Sequence, residues 1–261
     1  LIFFIMFGRV PNFDNPKTFN EFICARKVRL DEYYLWPYTD KYEVRKYVKE
    51  TIGEKYLNDI IGIFNDFSEI HFPDLPDKFV LKATHGSGYN IIVRNKNKLN
   101  VKIAKRKFDK WLKENYYYPG REKNYFKIKP RITCEKFLAS KNNNGLPEFK
   151  VFCFNGKVKL ISYNLIITGK TYINYYTANW EKTNINRGAP NFHCDELPQN
   201  KDEIIKVAEK LSAIFEFVRV DLYNIDERIV FSELTFHSGG GFNIFKPKIY
   251  TIKRRRYIHI C

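Results

Sequence analysis

Val218-Arg-Val-Asp-Leu-Tyr-Asn-Ile-Asp-Glu-Arg-Ile-Val-Phe-Ser-Glu-Leu-Thr235 is the stretch that decides the fold. Residues 218–223 and 229–235 are rich in β-branched and aromatic side chains, and the polar stretch 224–227 between them is a turn signal. The two halves are therefore expected to pair as antiparallel strands. Side chains two apart on a strand share a face, so Arg219 projects with Asp221, and Glu233 with Thr235. Pairing in register brings all four together. Two carboxylates that close repel unless a cation bridges them. Hard oxygen ligands of this kind suit Mg²⁺, which takes one or two carboxylates plus phosphate oxygens. The alternative is an Arg219–Asp221 ion pair beside a solvated Glu233. The apolar neighbours of both acids favour buried strands, and a buried unpaired carboxylate is costly. The loop Ser238-Gly-Gly-Gly241 that follows either wraps a ligand or simply turns.

Working outward, residues 202–215 read as an amphipathic helix, and 149–154, 158–163 and 171–176 as strands. Asn155-Gly156 is a hairpin turn between the first two of these. Residues 132–138 read as a strand running into the polar loop 141–145, and residues 102–118 as a helix. Upstream, Phe79-Val-Leu-Lys82 ends a short apolar strand, His85-Gly-Ser-Gly88 opens a turn, and 89–93 is the returning strand. A lysine ending a buried strand beside glycines can set an ammonium near a phosphate, while Gly86, Ser87 and Gly88 let backbone N–H groups approach its oxygens. A plain β-hairpin explains the same residues, and no Walker A loop is present. Residues 14–70 read mostly as helix, with Thr39-Asp40 as a cap for the segment that starts at Lys41. Helices thus come first, then a small α+β unit, then a larger antiparallel α+β unit. The expected division is 1–76, 77–134 and 135–261.

The chain has 261 residues, 44% of them hydrophobic, with 23 Phe and 18 Tyr, which supplies ample core and argues against disorder. Its 45 Lys and Arg against 29 acids give a net charge of +16, which favours anionic partners. No nucleic-acid-reading motif accompanies this charge, so nucleic acid is not expected as a partner. Cys24, Cys134, Cys153, Cys194 and Cys261 form no C-x-x-C pair, which argues against zinc or a disulfide framework and fits a reducing cytoplasm. The apolar start, residues 1–7, is too short to span a bilayer and lacks a preceding basic residue. It is expected to form a helical turn buried on the body. The basic run Lys253-Arg-Arg-Arg256 could bind an anionic polysaccharide or the inner face of a membrane, or be solvated charge.

A third cluster, Glu135-Lys136-Phe137-Leu138 followed by Glu148-Phe149-Lys150, says little alone. In this order, however, the clusters resemble the ATP-grasp superfamily. Glu135-Lys-Phe-Leu138 and Pro147-Glu148-Phe149 resemble the adenine hinge and ribose-binding segment of D-alanine–D-alanine ligases. Thr39-Asp40-Lys41 resembles the element whose lysine reaches the phosphates, and Lys82 resembles the second phosphate lysine, ahead of a mobile glycine loop. Arg219, Asp221 and Glu233 match an R-x-D and E-x-N pattern, with Thr235 where the family has Asn. A closer resemblance covers nearly the whole chain. Asn15-Pro-Lys-Thr-Phe-Asn-Glu21, Asp40-Lys-Tyr-Glu-Val-Arg-Lys-Tyr-Val48, Lys82 to Gly88, Phe149-Lys-Val-Phe-Cys-Phe-Asn-Gly156, Asn179-Trp180 and Arg219-Val-Asp-Leu-Tyr223 are similar to TupA-like ATP-grasp proteins. That family occurs with genes for cell-surface polysaccharide and teichuronopeptide synthesis. Glu148 and Phe149 stand here where it usually has Asp and Tyr.

The resemblance implies an ATP-grasp fold with two α+β subdomains clamping MgATP and a mostly helical N-terminal segment. It implies a carboxylate–amine ligase working through an acyl phosphate. Lys41, Lys82, His85, Gly86, Ser87, Gly88, Glu135, Lys136, Phe137, Leu138, Glu148 and Lys150 would bind ATP. Asp221, Glu233 and Thr235 would hold Mg²⁺, with Arg219 and Lys82 at the reacting centre. The implied substrates are an anionic sugar or polysaccharide precursor and an amine or amino acid, in the cytoplasm, with peripheral contact to membrane-bound machinery. Competing readings are a glycosyltransferase of capsule synthesis, against which no D-x-D motif occurs, and a sugar kinase.

Overall fold

A computed structural model describes residues 1–141, 146–193, 196–246, 251–252 and 258–259. In chain order its regular elements are α1 (Ile2–Phe7), α2 (Phe19–Arg29), the single-turn α3 (Trp36–Thr39), α4 (Val44–Ile52), β1 (Ile60–Phe64), β2 (Phe79–Ala83), β3 (Asn90–Val93), α5 (Val101–Trp111), the single-turn α6 (Tyr117–Gly120), β4 (Ile132–Lys136), β5 (Glu148–Phe154), β6 (Lys157–Ile167), β7 (Lys170–Tyr176), α7 (Lys201–Ser212), β8 (Phe217–Ile225), β9 (Arg228–Thr235), and the short ladder β10 (Thr251–Ile252) with β11 (Ile258–His259). The chain forms two compact units, Glu32–Ala139, and Leu1–Asp31 with Ser140–Cys261.

The Glu32–Ala139 unit is built on a four-stranded antiparallel sheet, β1-β4-β2-β3. Alternation along β2 puts Phe79, Leu81 and Ala83 on one face, where they pack with Ile132, Cys134 and Val93 and with Ala104 and Phe108 of α5. Complete burial of a side chain such as Phe108 stabilises by about 1.5–3 kcal/mol. Lys82, Thr133 and Glu135 lie on the other face, because Lys82 stands opposite Thr133 and Val80 opposite Glu135.

Several expectations are corrected in this unit. Residues 14–70 are mostly helical, as expected, but include the strand β1, which joins the sheet beside β4. Ile60-Ile-Gly-Ile-Phe64 is a short β-branched run whose period does not separate strand from helix, and only the free edge of β4 settles the choice. Segment 1–76 therefore contributes to the small sheet, and a boundary at 134/135 falls inside β4. Helix α4 starts at Val44 rather than Lys41, because the Asp40 carboxylate holds the N–H groups of Tyr42 and Glu43 in a turn, at 2.7 and 3.0 Å. The helix expected over 102–118 stops at Trp111, and the Asn115 side chain accepts the N–H of Tyr117 at 3.0 Å to begin a separate turn.

The second unit carries a five-stranded antiparallel sheet, β7-β6-β5-β8-β9. The hairpin turn at Asn155-Gly156 is present, with both residues at positive φ (47° and 72°). Helix α7 buries Ile204, Val207, Ala208 and Leu211 on one face, against β5, β6 and β8. The opposite face is divided. Phe152, Leu160, Tyr175 and Phe217 pack there with Ile23 of α2, while Glu148, Lys150, Arg219 and Asp221 occupy the same face at its polar end. A capping box between Thr18 and Glu21 starts α2. The expectation of a buried terminal turn is corrected. In α1 only Phe3 is buried, and Ile2, Phe4 and Ile5 are exposed, since so short a helix turns a single side chain inward. No helix among the described residues is long and apolar enough to cross a membrane. The run 253–256, most of loop 141–145, Cys194 and Cys261 lie outside the described residues, and Cys24, Cys134 and Cys153 are free, buried thiols.

Candidate functional site

The hairpin of β8 and β9 pairs as Arg219 opposite Thr235 and Asp221 opposite Glu233. A bulge next to this pairing, where the register shifts between Asp221 and Leu222, is the physical reason the reactive half keeps its register. The four side chains do converge. The Arg219 guanidinium donates through Nε and Nη2 to both oxygens of Asp221, at 2.6 Å each. Nη2 also donates to Thr235 Oγ1 at 3.0 Å and lies 3.5 Å from Glu233 Oε1, while Thr235 Oγ1 donates to Glu233 Oε1 at 3.0 Å. Nη1 donates to Ser238 Oγ at 2.9 Å. Asp221, Glu233 and Thr235 thus enclose Nη2 of Arg219, and Ser238 holds Nη1.

The cluster extends across the sheet. Lys150 Nζ sits 3.3 Å from Asp221 Oδ2 and 3.1 Å from Glu148 Oε2. Asn164 Nδ2 lies 3.5 Å from Glu148 Oε2, and Ser162 donates to Asn164 Oδ1 at 2.6 Å. Glu148, Asp221 and Glu233 thus share this cluster with Arg219 and Lys150. Burial raises the Glu148 carboxyl above its ordinary value, although Lys150 pulls the other way. Burial would lower the Lys150 ammonium, but attraction to Asp221 prevails and holds it above the usual lysine value. Arg219 behaves likewise: desolvation opposes its charge, and the Asp221 carboxylate more than offsets this.

Oxygen donors of this kind could supply part of a Mg²⁺ shell. Asp221 Oδ2, Glu233 Oε1 and Thr235 Oγ1 surround one point, and that point is held by the Arg219 guanidinium. Among the described residues no group of three or more His, Cys, Asp or Glu gathers around a metal position, so such an ion would need further oxygens from its ligand.

In the other unit, Lys82 Nζ pairs with Glu135 Oε2 at 2.7 Å, the two side chains being 22% and 12% exposed. Asn58 Nδ2 reaches Glu135 Oε2 at 3.4 Å and the Lys136 carbonyl at 2.9 Å. Lys41 Nζ donates to the Gly86 carbonyl at 2.7 Å and so lies against the glycine turn. The turn has no room for a side chain at Gly86, where a Cβ would meet the Tyr89 ring at 2.6 Å, and Gly88 has φ +76°. Ser87 and Gly88 are exposed at its tip, but His85 is not. Its ring is buried, Nε2 is 2.8 Å from the Trp111 carbonyl, and Nδ1 has no partner among the described residues. Burial lowers its pKa and favours the neutral ring. Glu135 and Lys136 belong to β4, with Phe137 and Leu138 just beyond it; the Arg94 guanidinium lies 5.4 Å above the Phe137 ring.

In one unit Lys41 meets the glycine turn and Lys82 meets Glu135, as two separate contacts; in the other, Glu148, Lys150, Arg219, Asp221, Glu233 and Thr235 form one cluster. Ser238, Asn164 and Ser162 had no assigned role. Ser238 follows the glutamate strand closely enough to be suspected from sequence, whereas the other two are visible only through pairing of β6 with β5. Asp40 is fully buried and pairs with Arg131 at 3.3 Å, and Arg131 also reaches Glu43 at 2.7 Å.

A family model described as TupA-like ATPgrasp matches residues 21–253. No curated protein matches the chain. Similar solved structures include the D-alanine–D-alanine ligase of Bacillus anthracis complexed with ATP, at 15% identity and TM-score 0.44, covering 77% of this chain and 54% of that one. The N5-carboxyaminoimidazole synthase of Aspergillus clavatus, complexed with ADP and 5-aminoimidazole ribonucleotide, shows 13% identity and TM-score 0.44 over 77% of this chain and 44% of its own. An ADP complex of N5-carboxyaminoimidazole ribonucleotide synthetase shows 14% identity and TM-score 0.47 over 76% and 45%. The chain spans about half the length of these solved structures.

Proposed function

The chain belongs to the TupA-like ATP-grasp family, and from that premise we propose that it is an ATP-dependent carboxylate–amine ligase acting on an acidic sugar or glycan of cell-surface polysaccharide synthesis. The observation that carries the proposal is the enclosure of one cationic point by Asp221, Glu233 and Thr235. In the proposed reaction a carboxylate oxygen of the acid attacks the γ-phosphorus of ATP, the bond to the bridging oxygen breaks, and ADP leaves. The amine then attacks the acyl carbon, loses a proton, and phosphate departs. Transfer of this kind needs alignment and charge neutralisation more than covalent help from the protein.

Lys41 and Lys82 are the cations for the phosphates, with Glu135 as the resident partner that Lys82 exchanges for a phosphate oxygen. Gly86, Ser87 and Gly88 would let the backbone approach the phosphates, and Lys136, Phe137 and Leu138 would bind adenine. Glu148 and Lys150 would bind the ribose. Asp221, Glu233 and Thr235 would hold Mg²⁺, which supplies neutralisation of the phosphate oxygens. Arg219 would stabilise the oxyanion formed when the amine adds.

The test is turnover of MgATP with a uronic acid and hydroxylamine. Acid-dependent ADP release with hydroxamate is expected. A stable phosphate ester without hydroxamate makes the protein a kinase and overturns the proposal, as does transfer from a sugar nucleotide without ATP. Arg219→Ala is expected to lower kcat far more than ATP affinity, because its contact is made in the transition state.

A further inference from the structure

Within the Glu32–Ala139 unit, the chain around α6 gathers aromatic rings and cations on its surface. Tyr33 and Phe126 meet at 5.5 Å, Tyr117 and Phe126 at 5.2 Å, and Tyr117 and Tyr118 at 5.4 Å, all edge to face. Over these rings stand cations. The Arg121 guanidinium is 5.5 Å from the Tyr117 centroid and 5.9 Å from that of Tyr118, and Lys127 Nζ is 5.6 Å from that of Tyr33. Arg121 sits at φ 54°, a left-handed conformation rare for an arginine, at the C-terminal end of α6. Neither Arg121 nor Lys127 has a carboxylate partner among the described residues, and both are exposed, as are Tyr118 at 59% and Phe126 at 41%. Aromatic faces hold the two charges in place without neutralising them.

We infer that this surface is a docking site for an acidic carbohydrate chain, outside the residues assigned to ATP and Mg²⁺. Arg121 and Lys127 take its carboxylates, and the phenol hydroxyls of Tyr117 and Tyr118 take its hydroxyl groups. Nucleic acid fits less well. Bases need open, parallel ring faces, and here the rings stand edge to face with cations over the faces of Tyr33, Tyr117 and Tyr118. An anionic bilayer would need a deeper apolar anchor than one partly exposed phenylalanine and a few tyrosines. The choice of carbohydrate deepens the acidic-glycan part of the proposed function, while the site itself stands apart from ATP chemistry.

The experiment measures binding of the full chain to polygalacturonate oligomers, neutral dextran, poly-uridylate RNA and phosphatidylserine vesicles at one ionic strength. It compares the double variant Arg121→Gln/Lys127→Gln with Lys102→Gln/Lys107→Gln, which removes the same charge from exposed positions on α5. The expected result is preference for polygalacturonate, about tenfold weaker in the first variant and nearly unchanged in the second, with the ATP-induced rise in melting temperature intact in both. Equal weakening in the two variants would reduce the effect to net charge and overturn the site. So would tighter binding of RNA or vesicles, or equal binding of dextran. Loss of polygalacturonate binding by Arg121→Gln/Lys127→Gln with hydroxamate formation on a small uronic acid unchanged separates this site from the ligase chemistry. Absence of hydroxamate alongside intact polygalacturonate binding fails the ligase reading alone.

Discussion

Lys82–Glu135 and the Arg219 cluster are both ion pairs on a sheet face, yet they are built for different tasks. Lys82 meets one carboxylate oxygen, and both side chains stay in contact with water. Arg219 spends Nε, Nη1 and Nη2 on Asp221, Ser238, Thr235 and Glu233 at a site where Asp221 is fully buried. A single, partly solvated contact is cheap to exchange for an incoming anion. A buried fork of charge-assisted bonds is not, because breaking one partner strands the rest. The small sheet therefore presents a cation ready to change partners, and the large sheet presents a cation locked among oxygens.

Asp221→Asn tests this contrast most severely. It leaves Arg219 and Lys150 facing a neutral amide in a buried place, and the expected loss is about 3–5 kcal/mol in urea unfolding. A loss no larger than that of Lys82→Ala would abolish the distinction. Acid separates the two units next. Burial alone would raise the Glu21 carboxyl, but the hydrogen bond from Arg9 and the N–H groups of Asn12 and Lys17 bring it down to about 2. A carboxylate depressed in the folded state contributes stability above its unfolded value near 4.5, and that contribution is lost as pH falls towards 2. The window corresponds to about 3 kcal/mol. Hydrogen exchange is expected to show the Leu1–Asp31 and Ser140–Cys261 unit opening in this range before Glu32–Ala139, and Glu21→Gln is expected to flatten the profile. Equal opening of both units would contradict the assignment. Lys82→Ala gives the smallest change without ligand, about 1 kcal/mol or less. ATP at 100 times its dissociation constant for the unaltered protein is expected to stabilise that protein by about 2.7 kcal/mol, and this gain is expected to vanish in the variant. Persistence of the full ATP shift would remove Lys82 from the phosphate site.

The β8–β9 hairpin was legible because its residues carry their own evidence: β-branched strands, a polar turn, and acids placed two apart from their partners. Asn155-Gly156 was legible for the same reason. Strand β1 was not, since Ile60-Ile-Gly-Ile-Phe64 becomes a strand only by finding the edge of β4, whose residues lie some seventy positions later. The helix boundaries at Val44 and Trp111 depended on the Asp40 and Asn115 side chains competing for backbone N–H groups, which residue type suggests but does not place. His85 looked like part of the mobile glycine turn. Its burial came from Trp111, with which it shares no local pattern.

The sequence by itself determined which residue types meet across one hairpin and the family of the chain, because strand alternation and short motifs are local and survive without knowledge of the rest. The tertiary structure alone decided that Glu148, Lys150 and Asn164 join the Arg219 cluster, that Glu135 is the partner of Lys82, and that Arg131 meets Asp40 and Glu43 from 91 and 88 positions away. The reason is physical. Sheet register couples residues distant along the chain, and only when the sheets are assembled does burial make each charge depend on the one placed opposite it.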